Sequence, residues 1–327
     1  MQLKIYLLQT YSGFENEDLI LAFLRKSYSC EIVSNICNAN VVIRGVFPSA
    51  KYTLIRRGIN KLVKQIRLNL DLHSQEKIRD RIDPSRNQLW IHLSGEKPNF
   101  NSFSSFYNSE CDIGIGHEAI NNTNYIRMPH WYQSIDWADF GVPRDLNSYH
   151  RLGKPINLDE LMHGIPACLL QDKDKCALIN SHMTAPRDVF FRQIKEIMPF
   201  DIYGLPGNMT NLCKRDILRE YNFNLAPENT LYPGYITEKI PEAYACRSFP
   251  IGWYLNGQDN EFTADSHLNL GVLTPSDIFG HESILESRLA SIMSTIKREG
   301  IPPLLLRKPS LSPVISLIEK AVHSLNF

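Results

Sequence analysis

The sequence predicts an α/β protein made of two units, each built on a mostly parallel sheet. Three observations carry this expectation. The chain has 327 residues, too many for one ordinary domain and enough for two cores. Short apolar runs of strand length alternate with stretches of helical period, the pattern of βαβ units. A polar, proline-bearing stretch from about Gly141 to Lys175 separates two such series and reads as a linker. The expected division is therefore 1–150, 151–310 and a terminal amphipathic segment, 311–327.

The elements follow in order. Met1–Leu8 is too short for a signal peptide, lacks a small-residue cleavage site and reads as a first strand. Leu3–Leu8, Val41–Arg44, Leu89–Leu93 and Ile113–Gly116 form the strands expected of the first unit. Lys175–Ile179, Phe200–Tyr203, Phe223–Leu225 and Phe249–Trp253 form those of the second. A helix over Asp188–Met198 is stopped by Pro199. Glu282–Arg298 carries apolar Leu285, Leu289, Ile292, Met293 and Ile296 on one face, with Gly300 and Pro302 as stop signals. In the tail, Ser312 serves as cap and Pro313 as first helical residue, before an apolar face of Val314, Ile315, Ile318, Ala321, Val322 and Leu325. One further segment, Tyr52–Leu70, sets Ile55, Ile59, Leu62, Val63, Ile66 and Leu70 against Arg56, Arg57, Lys61, Lys64 and Arg67. It reads either as a core-packed helix with a solvated face or as a peripheral contact with an anionic membrane surface.

Composition excludes several classes. Lysine plus arginine equals aspartate plus glutamate, 35 each, which argues against a nucleic-acid binder working through overall charge. No apolar run reaches the roughly 20 residues that cross a bilayer. Seven cysteines at wide spacings, with no Cys-x-x-Cys, fit neither a zinc ribbon nor a disulfide framework. They read as reduced, mostly buried thiols of a cytosolic protein.

The densest polar stretch is Tyr221–Trp253, read as strand, polar loop, helix start and strand. It crowds together Glu228, Asn229, Tyr235, Thr237, Glu238 and Lys239. Free N–H groups at a helix start attract anions, so this stretch suggests a phosphate-and-sugar pocket. Lys239 falls in the first helical turn, because Pro241 is tolerated only there. Arg187 follows a strand and precedes a helix, at the end of a strand where open α/β sheets bind ligands, and its guanidinium fork suits phosphate oxygens. Taken singly, each also reads as an ordinary surface cation. Glu238 suits a ribose diol or merely complements the helix; Asn229 and Tyr235 suit a sugar or ordinary turn chemistry. For a general base the sequence offers Glu96, emerging after Trp90-Ile91-His92-Leu93-Ser94-Gly95 into a loop toward the cleft between the units. His92 reads as packed; His117 and His130 are loop histidines with no partner visible in the sequence. Asp172-Lys173-Asp174 spells the Asp-x-Asp of metal-dependent sugar transferases, but its place in a lysine-interleaved run before a strand reads as a solvated linker. No metal is expected.

These motifs resemble the bacterial α-1,3/1,4-fucosyltransferase family. Glu228-Asn229, Gly234-Tyr235-Ile236-Thr237-Glu238-Lys239-Ile240 and Ala243 match its signature. Weaker matches keep the family's order: Ser94-Gly95-Glu96, then Arg127-Met128-Pro129 with Tyr132, Ala185-Pro186-Arg187 with Phe190, and Phe200-Asp201-Ile202-Tyr203-Gly204. The resemblance implies two Rossmann-like domains facing a cleft, the glycosyltransferase B fold. It implies GDP-fucose as donor substrate, an oligosaccharide or lipid-linked glycan acceptor, and an inverting displacement needing neither metal nor cofactor. By position Glu96 becomes the base, Arg187 and Lys239 the diphosphate ligands, Glu238 a ribose ligand, and Asn229 and Tyr235 fucose-side contacts. Pro227, Lys97, Asn180-Ser181 and Gly252-Trp253-Tyr254 depart from the family pattern and leave open another GDP-deoxysugar in the same pocket. A non-catalytic sugar binder is a further alternative, since two lobes around a cleft describe such proteins too.

Overall fold

A computed structural model describes residues 2–11, 13–46, 87–95, 105–142, 155–170, 174–180, 183, 187–204, 213–255, 261–274 and 284–325. Glu96, the basic segment Tyr52–Leu70 and Asp172-Lys173 lie outside these residues. The chain divides into two compact units: Met1–Met128 with Ala138–Asp145 and Ser310–Phe327, and Pro129–Trp137 with Leu146–Pro309.

The first unit holds six parallel strands: β1 (Gln2–Leu8), β2 (Ser29–Ile32), β3 (Val41–Arg44), β4 (Leu89–Ser94), β5 (Ile113–Gly116) and β6 (Tyr125–Arg127), in the order β2-β1-β3-β4-β5-β6. β3, β4 and β5 are buried along their whole length, as expected when both faces of a parallel sheet are covered. After a four-residue α1 (Phe14–Glu17), α2 (Leu19–Ser27) starts where the Asp18 carboxylate accepts the N–H groups of Ile20 (2.8 Å) and Leu21 (3.1 Å), a side-chain N-cap.

A small pair, β7 (Ile135–Asp136) and β8 (Ile156–Asn157), lies in the second unit, followed by α3 (Leu158–Met162), which Asn157 caps through Asp159 N–H at 3.0 Å. This part of the Gly141–Lys175 stretch is therefore structured and not a featureless linker. The main sheet of the unit joins β9 (Cys176–Ile179), β10 (Phe200–Tyr203), β11 (Phe223–Pro227), β12 (Phe249–Trp253) and β13 (Leu268–Asn269). Their order is β10-β9-β11-β12-β13, all parallel. Helices α4 (Arg187–Ile197), α5 (Lys214–Leu218), α6 (Lys239–Ala245) and α7 (Ile284–Glu299) follow in chain order. α6 packs on β11 and β12, and Gly252 permits this, since a β-carbon there would stand 2.8 Å from Ile240 Cδ1.

Four expectations need correction. The unit boundaries differ from 1–150 and 151–310, because Trp131 is buried against Phe262 and donates its indole N–H to Glu261 at 2.8 Å, holding 129–137 in the second unit. The terminal helix α8 (Ser312–His323) belongs to the first unit, where it packs against β5 and β6 and buries Val314, Ile318, Ala321 and Val322. Leu311, not Ser312, holds its cap position, and the Ser310 hydroxyl accepts the Ser312 N–H at 3.1 Å. The seven cysteines are all free, yet only Cys176 and Cys246 are buried, while Cys37, Cys168 and Cys213 are exposed. No helix among the described residues is long and apolar enough to cross a membrane.

His267 sits buried between Tyr254 and Phe262, with its Nε2 2.5 Å from the Tyr254 hydroxyl. Burial pushes its imidazole down to about 4, against a weaker upward pull from the Thr263 backbone. Between its ordinary value of 6.5 and 4, the unfolded chain binds a proton that the folded chain refuses. Stability should thus fall as pH drops through that window, by about 3 kcal/mol in all, and level off below it. Melting temperature measured against pH checks this: His267→Gln should flatten the slope between pH 6.5 and 4.

Candidate functional site

The strand order of the second sheet fixes where a site can form. The chain leaves β9 toward β10 on one side and β11 toward β12 on the other. Such a reversal opens a crevice at the carboxyl ends of the two central strands, where ligands of open α/β sheets bind. Asn180 follows β9, and Glu228 and Asn229 follow β11. Arg187, the first residue of α4, bridges them: one guanidinium nitrogen donates to Asn180 Oδ1 at 3.3 Å and another to Asn229 Oδ1. Burial lowers the Arg187 guanidinium from its ordinary value, while Glu228 and Tyr235 pull it back up. It remains a cation throughout the working range.

Glu228 is the buried centre of the cluster. Its carboxylate, fully enclosed, accepts the Thr237 backbone N–H at 2.7 Å, the Thr237 hydroxyl at 2.9 Å and Lys239 Nζ at 2.8 Å. Lys239 also donates to the Thr237 hydroxyl at 2.8 Å. An ammonium has three N–H groups, and these two acceptors engage two of them. A buried acid needs such partners to offset its desolvation. The sequence signal for this role is an acid directly after a mostly apolar strand that proves buried throughout.

Glu238 holds the cap position of α6 and makes no side-chain cap bond. Burial alone would raise its carboxyl, but Lys239, Lys214 and His130 outweigh it and hold it at about 2. Lys214, on α5, lies 4.0 Å from Glu238 and contacts the buried Glu242, which also accepts from Arg215 Nε at 3.3 Å. His130 is buried at Nδ1 with no hydrogen-bond partner among the described residues. Burial lowers its imidazole, with Glu238 pulling upward and Lys239 downward. Lys214 does not stand out in the sequence, and His130 reads there only as a loop histidine without a visible partner.

The other expected residues divide. Asn229 is exposed and joined to Arg187; Tyr235 is buried after Gly234, in a turn closed by its N–H to Tyr232 O at 3.0 Å, and its hydroxyl acts on the Arg187 charge. The expected helix-start contribution is small. α6 has only seven residues, and the Glu238 carboxylate already stands at its tip, so side-chain cations carry the positive charge. Asp174 pairs with Lys297, which leaves it structural. His92 is buried within β4 near Phe106. No group of three or more metal-ligating acids, histidines or cysteines occurs among the described residues.

Cavity volume and charge point to different places. A cavity of about 880 Å³ lies at the amino end of β12 and is lined by Ile165, Phe249, Leu268, Arg288 and Ile296. The crevice lined by Asn180, Arg187, Lys214, Pro227 and Lys239 encloses about 20 Å³. Converging cations, not volume, mark a site for a charged ligand, and they converge at the crevice.

Residues 170–271 match glycosyltransferase family 10 (fucosyltransferase), C-terminal part, a span that includes Arg187, Lys214, Glu228, Glu238 and Lys239. An alpha-(1,3)-fucosyltransferase, FucT of Helicobacter pylori, is 30% identical over 195 residues, which is 54% of this chain. The match spans only 39% of that relative's length. Over the whole chain the fold resembles a crystal structure of an α1,3-fucosyltransferase, with a TM-score of 0.60 at 19% identity, covering 99% of this chain and 91% of that one. A structure of an α1,3-fucosyltransferase with GDP-fucose aligns at a TM-score of 0.59 and 19% identity, covering 100% and 92%. The expected class, two Rossmann-like units of the glycosyltransferase B fold, is the fold these structures share.

Replacing Glu228 by Ala should leave Lys239 and the Thr237 N–H without their buried acceptor. The expected loss is roughly 3–5 kcal/mol, as for one partner removed from a buried pair. Differential scanning calorimetry checks it: the drop in melting temperature should be on the order of 10 °C, and a change within 2 °C, on the same scaling, would deny Glu228 this role.

Proposed function

We propose that this chain is an inverting fucosyltransferase that moves L-fucose from GDP-fucose to a hydroxyl of an N-acetylglucosamine-containing surface glycan, with α-1,3 linkage and without metal or cofactor. One observation carries the reading: Arg187 and Lys239 converge at the switch point between β9 and β11, inside the span that matches family 10. The donor diphosphate would lie along the rim of the crevice. Arg187 and the third N–H of Lys239 would meet its oxygens, Glu238 would accept from the ribose diol, and Asn229 and Tyr235 would border the fucose.

In the proposed step the acceptor oxygen attacks C1 of fucose while the bond from C1 to the β-phosphate oxygen breaks. GDP leaves with the bonding electrons and the acceptor proton passes to Glu96, two residues beyond the end of β4. Cations held in place before reaction stabilise the charge that develops on the departing diphosphate. A depressed Glu238 carboxyl keeps its acceptor role unchanged from neutral pH down to pH 4, so any acidic fall in rate over that range belongs to another group.

Glu96→Gln should lower kcat by about 10²–10⁴ while leaving the affinity for GDP unchanged, the result for loss of a general base. Arg187→Ala should weaken GDP binding about tenfold or more, the effect of losing a charge-assisted hydrogen bond. NMR of the product, with rates from a GDP-fucose assay on an acceptor panel and calorimetry of GDP binding, tests both. A Glu96→Gln variant of wild-type rate would end the proposed mechanism.

A further inference from the structure

We propose that Lys214 is a third cation of the donor site, reserved for the diphosphate and set in place by Glu242. The inference deepens the donor-site reading above and rests on it.

The argument is one of charge balance. Four cations, Arg187, Lys214, Arg215 and Lys239, stand with three carboxylates, Glu228, Glu238 and Glu242, in one partly enclosed cluster. Glu228 is matched by Lys239. Glu242, 1% exposed, is matched by Arg215, which is itself nearly buried. Lys214 contacts the same Glu242, so that carboxylate carries a second cation it does not need for neutrality. Glu238, at 4.0 Å from Lys214, is shared with the field of Lys239. Among the described residues the cluster therefore holds one more cation than carboxylate, and enclosed charge without a counter-charge is costly.

The excess belongs to the cluster as a whole, and geometry puts Lys214, with Arg187 and Lys239, where an anion would arrive. Lys214 lines the same crevice as Arg187, Lys239 and Asn180. Glu242 accepts one of its three N–H groups and fixes the direction of the side chain, leaving the others for phosphate oxygens. Burial works against the ammonium, but Glu242 and Glu238 outweigh it and hold its titration above the ordinary lysine range, so the charge persists across working pH. A cation needed only to neutralise Glu242 would have no reason to line the crevice, since Arg215 already performs that task from the buried side.

The test compares GDP with guanosine by calorimetry on the full chain, in wild type, Lys214→Met and Lys214→Arg. Lys214→Met should weaken GDP about tenfold and leave guanosine within about twofold, a difference near the precision of such measurements. Lys214→Arg should restore most of the GDP affinity. Equal changes for GDP and guanosine, whether both nil or both large, would overturn the proposal, because a purely structural lysine cannot distinguish a diphosphate from a bare nucleoside. The same series with UDP against uridine separates this claim from the donor assignment. If wild type prefers UDP, the guanine reading fails, and Lys214 is then judged by the diphosphate-minus-nucleoside difference in that pair. Binding of no nucleoside diphosphate by wild type overturns both.

Discussion

A single buried carboxylate organises the second unit's functional end. Glu228 leaves β11 as the chain enters a loop and takes three donors that come from nine to eleven residues later: the Thr237 N–H, the Thr237 hydroxyl and the Lys239 ammonium. A carboxylate with no access to water is unfavourable unless all its lone pairs are engaged. The strongest constraint on the 229–236 loop is therefore that it bring Thr237 and Lys239 back to this acid. That closure sets the start of α6, and with it the positions of Glu238 and Glu242. Gly252 makes room by letting Ile240 seat against β12 without a β-carbon in the way.

The sheet supplies the other half of the arrangement. β9 and β11 are hydrogen-bonded neighbours only at their starts, Phe223 with Cys176 and Asn224 with Ala177, and the Asn224 side chain adds a bond to Ala177 O at 3.0 Å. Beyond that point the strands feed separate connections. Arg187 crosses from the β9 side to the β11 side by joining Asn180 and Asn229. The guanidinium thus spans the crevice that strand order creates, and its planar fork serves both strand ends at once.

Much of this was legible in the sequence. The central strands announce themselves because a parallel strand covered on both faces needs a largely apolar run, and Val41–Arg44, Ile113–Gly116 and Phe249–Trp253 stand where expected, as does the edge strand Phe200–Tyr203. The strands that escaped notice lack that run. β2 is the edge sequence Ser-Cys-Glu-Ile, with no fully buried position, and β13 is two residues long. The motif residues Arg187, Glu238 and Lys239 were visible as a resemblance. Their support was not: Lys214 sits in Cys-Lys-Arg-Asp, which has the look of a solvated turn, and becomes enclosed only because α6 directs Glu242 inward beside Ile240 and Ala243. Likewise Trp131, Ile135 and Trp137 carry 129–137 into the second unit, since three large apolar side chains outweigh the polar look of the surrounding sequence.

A crevice proposed to hold an anion nonetheless contains three carboxylates, and the reason lies in what each one does. Cations left free in a crevice would repel one another and swing into water, and ordering them would fall to the ligand. Glu228 and Glu242 order Lys239, Lys214 and Arg215 beforehand, so less of the binding free energy is spent on arranging side chains. Each acid also weakens the local field, which lowers attraction for a lone phosphate or chloride more than for a ligand that meets several directed N–H groups together. The equal counts of acidic and basic residues over the whole chain fit the same logic. On the proposed reading, attraction would come from short, oriented contacts within a low-dielectric crevice, where charge acts most strongly, and not from a diffuse positive surface.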